Sequence, residues 1–408
     1  MFTFLKIAFR NIIRNRRRSL ITISAVGFGL AALIFIWAFV DGAHIQMTEN
    51  YTSLLSGHIQ VHKKGFQAKE QLEINIPNPQ GIVSGIESNP KVLAAALRIK
   101  AFGLAASAQN SSGVLILGVF PDKEIKVSSI AKRIKEGKFL ESGKDNSIVI
   151  GRRLAENLNV VLDDKIVLMS QAFDGSIASA AFRIKGLLDT GVEEIDKGIA
   201  IISYKAAEDL FVMQDRASEI AIRLKSVNDS ELVASQIGQA LNSSDLEALP
   251  WQEISPILKQ WIEFDNGFIW IIVLVVMIVV AIGILNTVLM GVLERRREFG
   301  ILLALGTRRR QIIMTVAWES LFLGVFGTII GLILGYFLSL YFGKTGINLT
   351  IFTQALNAFY VDAFVYPKVS LGHTIISTSL VLITSIIVSL YPAYHAANLK
   401  PVDAIRSI

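Results

Sequence analysis

Residues 294–336 read ERRREFGILLALGTRRRQIIMTVAWESLFLGVFGTIIGLILGY. The stretch opens with a basic segment, residues 294–310, and passes into a run without charged side chains over residues 320–343. A run of about 20 mostly apolar residues is long enough to cross the hydrocarbon core of a bilayer as a helix. Since Lys and Arg collect in short cytoplasmic loops, this stretch predicts a membrane-spanning helix with its basic end in the cytoplasm.

Three further runs of the chain pass the same length test. They are residues 19–40, 268–293 and 369–394, none of which contains Asp, Glu, Lys or Arg. Four runs of this kind predict a membrane protein with four transmembrane helices. A cleavable signal peptide is the alternative for the first run, but its apolar core is too long and no small-x-small cleavage site precedes Asp41.

The flanking bases predict the orientation of the four helices. Six Lys and Arg residues precede the first run and six lie in residues 294–310, whereas only Lys344 and Lys368 lie between the third and fourth runs. We therefore expect a multi-pass protein with both termini in the cytoplasm. The predicted boundaries are 1–18 for a cytoplasmic interfacial amphipathic helix, 19–41, 268–293, 311–343 and 369–394 for the spans, 42–267 for a periplasmic domain, 294–310 for a cytoplasmic coupling helix, 344–368 for a periplasmic loop and 395–408 for a cytoplasmic tail.

Composition favours a membrane protein over the other classes. Of 408 residues, 52% are hydrophobic and only 18% are charged, which excludes a disordered chain. Residues 41–267 hold 29 acidic and 24 basic side chains, and the rest of the chain holds 5 acidic and 16 basic ones. Because the excess bases flank apolar runs, we expect a lipid bilayer as the partner and no nucleic acid. The absence of cysteine excludes disulfides and thiolate metal sites.

The segment between the first two runs has the pattern of a folded α+β domain. Strand-like runs occur at residues 57–62, 113–119, 147–150, 165–170, 180–187, 198–203 and 219–225. Helical patterns occur at residues 126–136, 152–158, 204–211 and 229–241. We predict one split βαβ layer built from both ends of the segment, with about residues 120–215 as a lobe inserted into it.

The chain lacks the motifs of an enzyme that would supply its own energy. It has neither a GxxxxGK[ST] phosphate loop nor a GxSxG nucleophile motif. His58 and His62 have the spacing of a metal pair, but a pair without a carboxylate is more often a polar strand face. Glu319 is explained either by local ion pairs with the arginines at 308–310 or by a proton relay. We expect no catalytic residues and no directly bound cofactor or metal, so the energy has to come from a partner.

Several motifs resemble those of one family of membrane proteins. Residues 294–336 and residues 391–406, YPAYHAANLKPVDAIR, resemble the signatures of FtsX-like ABC transporter permeases, the superfamily of MacB and LolC/LolE. Residues 148–169, 182–190 and 198–211 are similar to the outer domain of its lipoprotein-releasing LolC/LolE branch. The resemblance covers essentially the whole chain and implies four transmembrane helices with a large MacB-like periplasmic domain.

The resemblance implies a permease subunit rather than a complete transporter. Two such subunits, identical or related, pair around a cytoplasmic ABC ATPase dimer, which binds ATP and Mg²⁺, and helix motion passes to the periplasmic domain as mechanotransmission. In the lipoprotein-releasing branch, this motion extracts lipoproteins from the bacterial inner membrane and passes them to a periplasmic carrier. Two alternatives remain: a MacB-like mechanotransmitter that drives tripartite export through an adaptor, and an FtsX-type regulator of a cell-wall hydrolase.

The resemblance places a coupling element in residues 294–310. A short amphipathic helix there has an apolar face that can enter a pocket on the ATPase and charges that can fix its orientation. The candidate coupling residues are Glu298, Gly300, Leu302, Leu303, Leu305 and Gly306. Gly327, Gly331 and Gly335 recur at four-residue spacing, which allows close helix packing either at a permease dimer seam or within one subunit.

Two further groups of residues are candidates for contacts with cargo and carrier. A lipid-anchored cargo needs an apolar cavity that opens to the bilayer, and bulky side chains near the outer halves of the first two spans are candidate lining: Phe35, Trp37, Phe39, Phe268 and Val273. The alternative is that these side chains face lipid or form an interfacial belt. The resemblance implies carrier capture by a hairpin loop, which corresponds here to residues 171–180, with Phe173 as the contact.

Overall fold

The structure is a computed structural model that describes residues 8, 10–12, 14, 16–143, 146–241 and 245–399. Much of the predicted interfacial helix at residues 1–18, and residues 400–408 of the predicted tail, therefore lie outside the described residues. The chain divides into two compact units. The helical unit comprises Met1–Ile45, Ile262–Ile351 and Ala363–Ile408, and the α/β unit comprises Gln46–Trp261 and Phe352–Asp362.

The α-helices of the described residues are numbered α1 to α14. They are Arg16–Tyr51, Phe66–Lys69, Gln80–Glu87, Pro121–Val127, Arg152–Leu158, Glu193–Gly198, Tyr204–Phe211, Ser230–Ala240, Trp251–Ile254, Pro256–Glu294, Arg296–Ala304, Arg309–Thr345, Thr353–Ala358 and Leu371–Ala397. A π-helical turn, Thr52–Ser56, follows α1 directly.

The strands of the described residues are numbered β1 to β14. They are Ile59–Lys63, Ile76–Pro77, Val92–Ala106, Ser111–Val119, Ile134–Gly137, Ser147–Gly151, Lys165–Gln171, Ile177–Leu188, Ile199–Ser203, Arg216–Ala217, Glu219–Leu224, Leu246–Pro250, Ile347–Asn348 and Phe364–Val365.

Four helices within the described residues, α1, α10, α12 and α14, are long and apolar enough to cross a membrane. The four predicted spans are thus confirmed as helices. Their inward faces share one apolar core, which includes Val26, Leu30, Trp37, Val280 and Val381. The remaining faces of these helices carry many exposed Leu, Ile, Val and Phe side chains, as expected for helices solvated by lipid or covered by another subunit.

Two of these helices continue well past the predicted spans. Hydropathy marks only the apolar part of a helix, whereas the ends of a helix follow from local backbone chemistry. α10 begins at Pro256, whose fixed φ suits the first turn of a helix. The helical segment that follows α1 ends at Gly57, where φ is +69°, a conformation that glycine adopts without steric cost.

The α/β unit is built on one ten-stranded sheet. Nine strands follow one another in the order β12-β1-β11-β3-β4-β9-β6-β8-β5, and β7 pairs with both β3 and β8. One layer of this sheet is built from both ends of the segment, as predicted. Its strands are β1, β3, β4, β11 and β12, and neighbouring strands pair antiparallel. Most of their core-facing side chains belong to one large apolar cluster.

Residues 120–215, expected to form an inserted lobe, contribute β5 to β9 to this same sheet. The connection is the parallel pairing of β4 with β9, in the register Leu117 with Ile201. The helix predicted over residues 126–136 is wrong, because α4 ends at Val127 and β5 occupies Ile134–Gly137. β5 pairs with β8, so tertiary strand pairing prevails over the local helical pattern.

Candidate functional site

The predicted coupling segment folds as the nine-residue helix α11, Arg296–Ala304. Two residues after α11 ends, Gly306 has a φ of +91°, and its backbone N–H donates to the carbonyl of Leu303 at 3.1 Å. An L side chain at this position would be strained although the space around it is open. α12 begins at Arg309, and at its start the backbone N–H of Arg308 donates to Oε1 of Gln311 at 2.9 Å.

The two faces of α11 have different surroundings. Phe299 and Gly300 are buried, and Leu303 is half-buried against the core of the helical unit. Ile301, Leu302 and Leu305 are 44%, 41% and 79% exposed. Spacings of three and four residues place these three side chains along one edge of the helix.

Of the predicted coupling leucines, Leu302 and Leu305 are therefore exposed, whereas Leu303 packs inside its own chain. Ile301 belongs to the exposed edge but was not predicted. The signal for Ile301 was present in the sequence, because it lies three residues after Glu298 and four residues before Leu305.

Glu298 is tied to two arginines by short contacts. Its Oε1 lies 2.9 Å from Nη2 of Arg14, and its Oε2 lies 3.0 Å from Nε of Arg295. Burial raises the pKa of Glu298, but the hydrogen bonds and charges of Arg295 and Arg14 outweigh burial and hold the pKa below its usual value. Glu298 is thus a charged rim group that also connects α11 to the helical segment preceding the first span.

Glu319 is buried on α12 and forms ion pairs, which was one of the two explanations expected from the sequence. Its partners, however, are not the predicted arginines at 308–310. Its Oε2 lies 3.0 Å from Nη1 of Arg295, and its Oε1 lies 3.6 Å from Nη2 of Arg18. The predicted partners at 308–310 were wrong, because those residues lie where α12 begins and are exposed. Arg309 instead donates to the side chain of Asn398 at 2.7 Å.

The glycine stripe of α12 packs against α1 of the same chain. A Cβ built at Gly327 would lie 2.6 Å from Cβ of Val26, and one at Gly331 would lie 2.8 Å from both the carbonyl oxygen of Gly27 and Cβ of Leu30. A Cβ at Gly335 would lie 3.0 Å from Cβ of Ile34. These glycines therefore permit the close approach of two helices within one subunit, and they are not free to form a dimer seam.

The five candidate cargo residues do not line one common surface. Trp37 and Val273 are buried in the core of the helical unit, and Phe35 and Phe39 are half-buried. The Trp37 ring stacks on His373 with 3.9 Å between centroids, and Nδ1 of His373 lies 2.8 Å from Asp41. Phe268 is exposed, as are its neighbours along α10: Trp270, Ile271, Leu274 and Val275.

The predicted carrier hairpin is formed by β7 and β8, with Gln171 opposite Ile177. Phe173 folds back onto the α/β unit. Its backbone N–H donates to the carbonyl of Phe211, and its ring lies 4.8 Å from the guanidinium of Arg216. Phe173 is half-buried, whereas Ile177, which was not predicted, is 87% exposed and is the apolar side chain that the hairpin presents.

An exposed apolar strip continues from this hairpin across the sheet. Leu104 on β3 is paired with Met169 on β7, and directly paired side chains of antiparallel strands point to the same face. Period-2 alternation puts Phe102 and Ile177 on that face too. All four side chains are exposed, and we call them the sheet-face strip.

His62 on β1 and His58, which immediately precedes β1, are both buried. Nδ1 of His58 accepts the N–H of Leu224 at 3.2 Å, and Nδ1 of His62 lies 3.2 Å from Glu247. Burial, helped by the charge of Arg223, lowers the pKa of His58 to about 4. In the part of the chain that the structure describes, no group of three or more His, Asp or Glu side chains is arranged to hold a metal ion.

The four apolar helices and the separate α/β unit together define a multi-pass membrane protein with a large non-membrane domain. The model of the MacB-like periplasmic core domain matches residues 19–240, and the model of the FtsX-like permease C-terminal region matches residues 270–401. The chain belongs to the family of FtsX-like permeases with a MacB-like periplasmic core domain. Membership implies an ATPase partner and a second permease subunit.

Known relatives are similar along most of the chain. LolC of Xylella fastidiosa, a lipoprotein-releasing system transmembrane protein, is 24% identical over 401 residues, which cover 95% of this chain and 93% of LolC. The macrolide export ATP-binding/permease protein MacB of Campylobacter jejuni is 24% identical over 433 residues, covering 99% of this chain and 61% of MacB. The crystal structure of the periplasmic region of MacB from Actinobacillus actinomycetemcomitans covers 53% of this chain and 97% of its own, with 13% identity and a TM-score of 0.37.

Proposed function

We propose that this protein is the permease subunit of a lipoprotein-releasing ABC system of the bacterial inner membrane. A separate cytoplasmic ATPase binds α11, hydrolyses ATP, and so moves the spans and the periplasmic domain. The observation that carries this proposal is the exposed edge of α11, formed by Ile301, Leu302 and Leu305 in a basic segment between two apolar helices. An apolar edge bordered by charges is the anatomy of a protein-docking site.

The distribution of exposure predicts which side chains bind the ATPase. Truncation of a buried anchor at an interface costs about 2 kcal/mol or more when the anchor is a hot spot. Leu305, the most exposed leucine of the segment, is the best candidate for such an anchor. Leu303 is the matched control, because it differs from Leu305 mainly in that it packs against its own chain.

The test compares Leu305→Ala with Leu303→Ala in the full chain. Affinity purification from native membranes identifies the copurified ABC ATPase, and ATPase activity is then measured with that subunit in nanodiscs. We expect Leu305→Ala to lower the affinity for the ATPase by about 30-fold, the equivalent of 2 kcal/mol, while the variant still inserts. Recovery of no ABC ATPase with the wild-type chain would count against the proposal.

Lipoprotein release is favoured over other cargo by the similarity to LolC along 95% of the chain. The exposed face of α10 at Phe268 offers an apolar contact for acyl chains, and Ile177 with the sheet-face strip offers one for a carrier. A photo-crosslinker at Phe268 is expected to trap acylated cargo, whereas one at the buried Val273 is expected to react only within the chain. Crosslinks from Phe268 to phospholipid alone, with release intact in Phe268→Ala, would argue for other cargo.

Tripartite export is the second candidate, because MacB is similar over 99% of this chain. The two candidates differ in their partners: a soluble lipoprotein carrier in the first, and an adaptor with an outer-membrane tunnel in the second. Copurification of the crosslinked partner of Ile177, followed by mass spectrometry, discriminates between them. A membrane-anchored adaptor at this position would favour export.

A further inference from the structure

The ends of α1, α10 and α12 that lie near α11 are connected by an unbroken series of ion pairs. Along the series, acidic and basic side chains alternate, and each neighbour is 2.9 to 3.6 Å away. Its six members, in order, are Glu294, Arg18, Glu319, Arg295, Glu298 and Arg14. Three of the five acidic residues outside residues 41–267 belong to it, although 16 bases compete for them there.

The series joins separate elements of the helical unit. Arg18 lies on α1, Glu319 on α12 and Glu298 on α11, while Arg295 is the residue that immediately precedes α11. Arg295 is central, because it contacts Glu319 and Glu298 at 3.0 Å each and its guanidinium lies 5.0 Å from the ring of Phe299. Its side chain is 9% exposed and that of Glu319 is 11% exposed, so solvent screens this pair little.

The absence of a side chain at Gly291 of α10 leaves room for the guanidinium of Arg18, one member of the series. A Cβ built at Gly291 would lie 2.4 Å from Nη2 of Arg18 and 2.6 Å from its Cζ. Any side chain at this position would therefore displace the guanidinium that reaches Glu294 and Glu319. Gly283, on the same helix, would place its Cβ 3.6 Å from Cβ of Ala25, which is ordinary contact.

We propose that this series of charges is the element that positions the coupling helix, with Glu319 and Arg18 as positioning residues. It fixes α11 to α1 and α12, so that a displacement of α11 by the ATPase moves those helices instead of rotating α11 alone. Removal of Glu319 leaves Arg295 and Arg18 without a shared carboxylate in a largely buried site, which is costly. This inference rests on the proposed function for its biological role, but the restraint on α11 can be measured without the ATPase.

The first measurement uses the permease alone. Because the chain lacks cysteine, Ala304→Cys provides a single labelling position on an exposed part of α11. The spin label is compared by electron paramagnetic resonance in four backgrounds: Glu319→Gln, Gly291→Ala, and the controls Gly283→Ala and Arg310→Gln. We expect greater label mobility in the first two backgrounds and the unaltered spectrum in both controls. Unchanged mobility in Glu319→Gln and Gly291→Ala would overturn the proposal.

Gly291→Ala keeps every charge and adds only a methyl group, so it decides the matter if Glu319→Gln does not insert. The second measurement adds the copurified ATPase and counts cargo released per ATP hydrolysed. We expect a loss on the order of tenfold in Glu319→Gln and Gly291→Ala with ATPase binding retained, within the range for mutations along a coupling network. Wild-type coupling in both variants would overturn the positioning role. Failure of the wild-type chain to bind an ATPase would contradict the proposed function, and the spin-label result would still decide whether the series restrains α11.

Discussion

Arg98 is a charged side chain that is fully buried in the α/β unit, so it needs buried partners for its charge. Its Nη2 donates to Glu124 at 2.7 Å, and its Nη1 donates to Glu219 at 3.1 Å and to the carbonyl of Leu55. Burial disfavours the charge, but the two carboxylates together hold the pKa of Arg98 above its usual value. The site therefore depends on the permanent presence of all three charges.

We expect Arg98→Met to destabilise the α/β unit by about 3–5 kcal/mol, because two carboxylates would then remain buried without a counter-charge. Lys91→Met is the matched control, since the Lys91–Asp229 pair is partly exposed to solvent and is worth at most about 1 kcal/mol. Pulse proteolysis of the full chain in a urea series measures both changes. Equal effects of the two substitutions would show that burial is not the cause.

His58 makes the stability of the α/β unit dependent on pH. Its pKa falls from 6.5 to about 4, so between these values the unfolded chain binds more protons than the folded one. The free energy of unfolding is therefore unaffected by His58 above pH 6.5. It decreases as the pH falls towards 4, by up to about 3 kcal/mol. The physical reason is that burial, helped by the charge of Arg223, disfavours the protonated ring. A protonated Nδ1 would also be unable to accept the N–H of Leu224.

His58→Asn is expected to remove this part of the pH dependence, because an amide oxygen can accept the same N–H at every pH. Unfolding is followed by pulse proteolysis at pH 7 and pH 5 in both proteins. The difference between the two pH values should be smaller in the variant. A variant with the wild-type pH profile would assign the dependence to other groups.

At the scale of elements, the contact of α12 with α1 depends on the absence of side chains. We expect Gly331→Leu to disrupt the helical unit, because its Cβ alone would overlap the backbone of Gly27 and the side chain of Leu30. Gly267→Ala on α10 is the control, since a Cβ built there meets nothing within 4 Å beyond its own helix backbone, and Ala favours a helix. Thermal unfolding in detergent and the mass of the solubilised protein are measured. If Gly331→Leu instead separated a dimer into two folded permease subunits, the result would support the alternative that this glycine lies at a dimer interface.

At the scale of the whole molecule, the asymmetry of basic residues predicts the orientation. Single cysteines at Val161, which is 66% exposed in the α/β unit, and at Arg309, at the start of α12, can be probed with an impermeant maleimide. In intact spheroplasts we expect labelling of Val161→Cys but not of Arg309→Cys, and labelling of both after permeabilisation. The reverse pattern in intact spheroplasts would require the opposite orientation.

The leucines of the coupling helix show which parts of the candidate site could be predicted from the sequence. Leu302 and Leu305 were predicted for the exposed edge of the coupling helix, because three- and four-residue spacing follows from the helix alone. Leu303 was predicted for the same role, yet it is half-buried, because the core of the helical unit occupies that side of α11. The sequence did not show which side of so short a helix would meet its own chain.

The sequence alone determined the four apolar helices, the α+β character of the long segment, and the family. These properties depend on sums over neighbouring residues, such as hydropathy and alternation, and on motifs that are contiguous in the chain. Only the tertiary structure decided that Glu319 pairs with Arg295 and Arg18, that Gly331 faces α1, and that the hairpin exposes Ile177 and covers Phe173. Those choices depend on the rotation of each helix about its axis and on the pairing of strands distant in sequence, and the free energy of packing that sets them is shared among residues far apart along the chain.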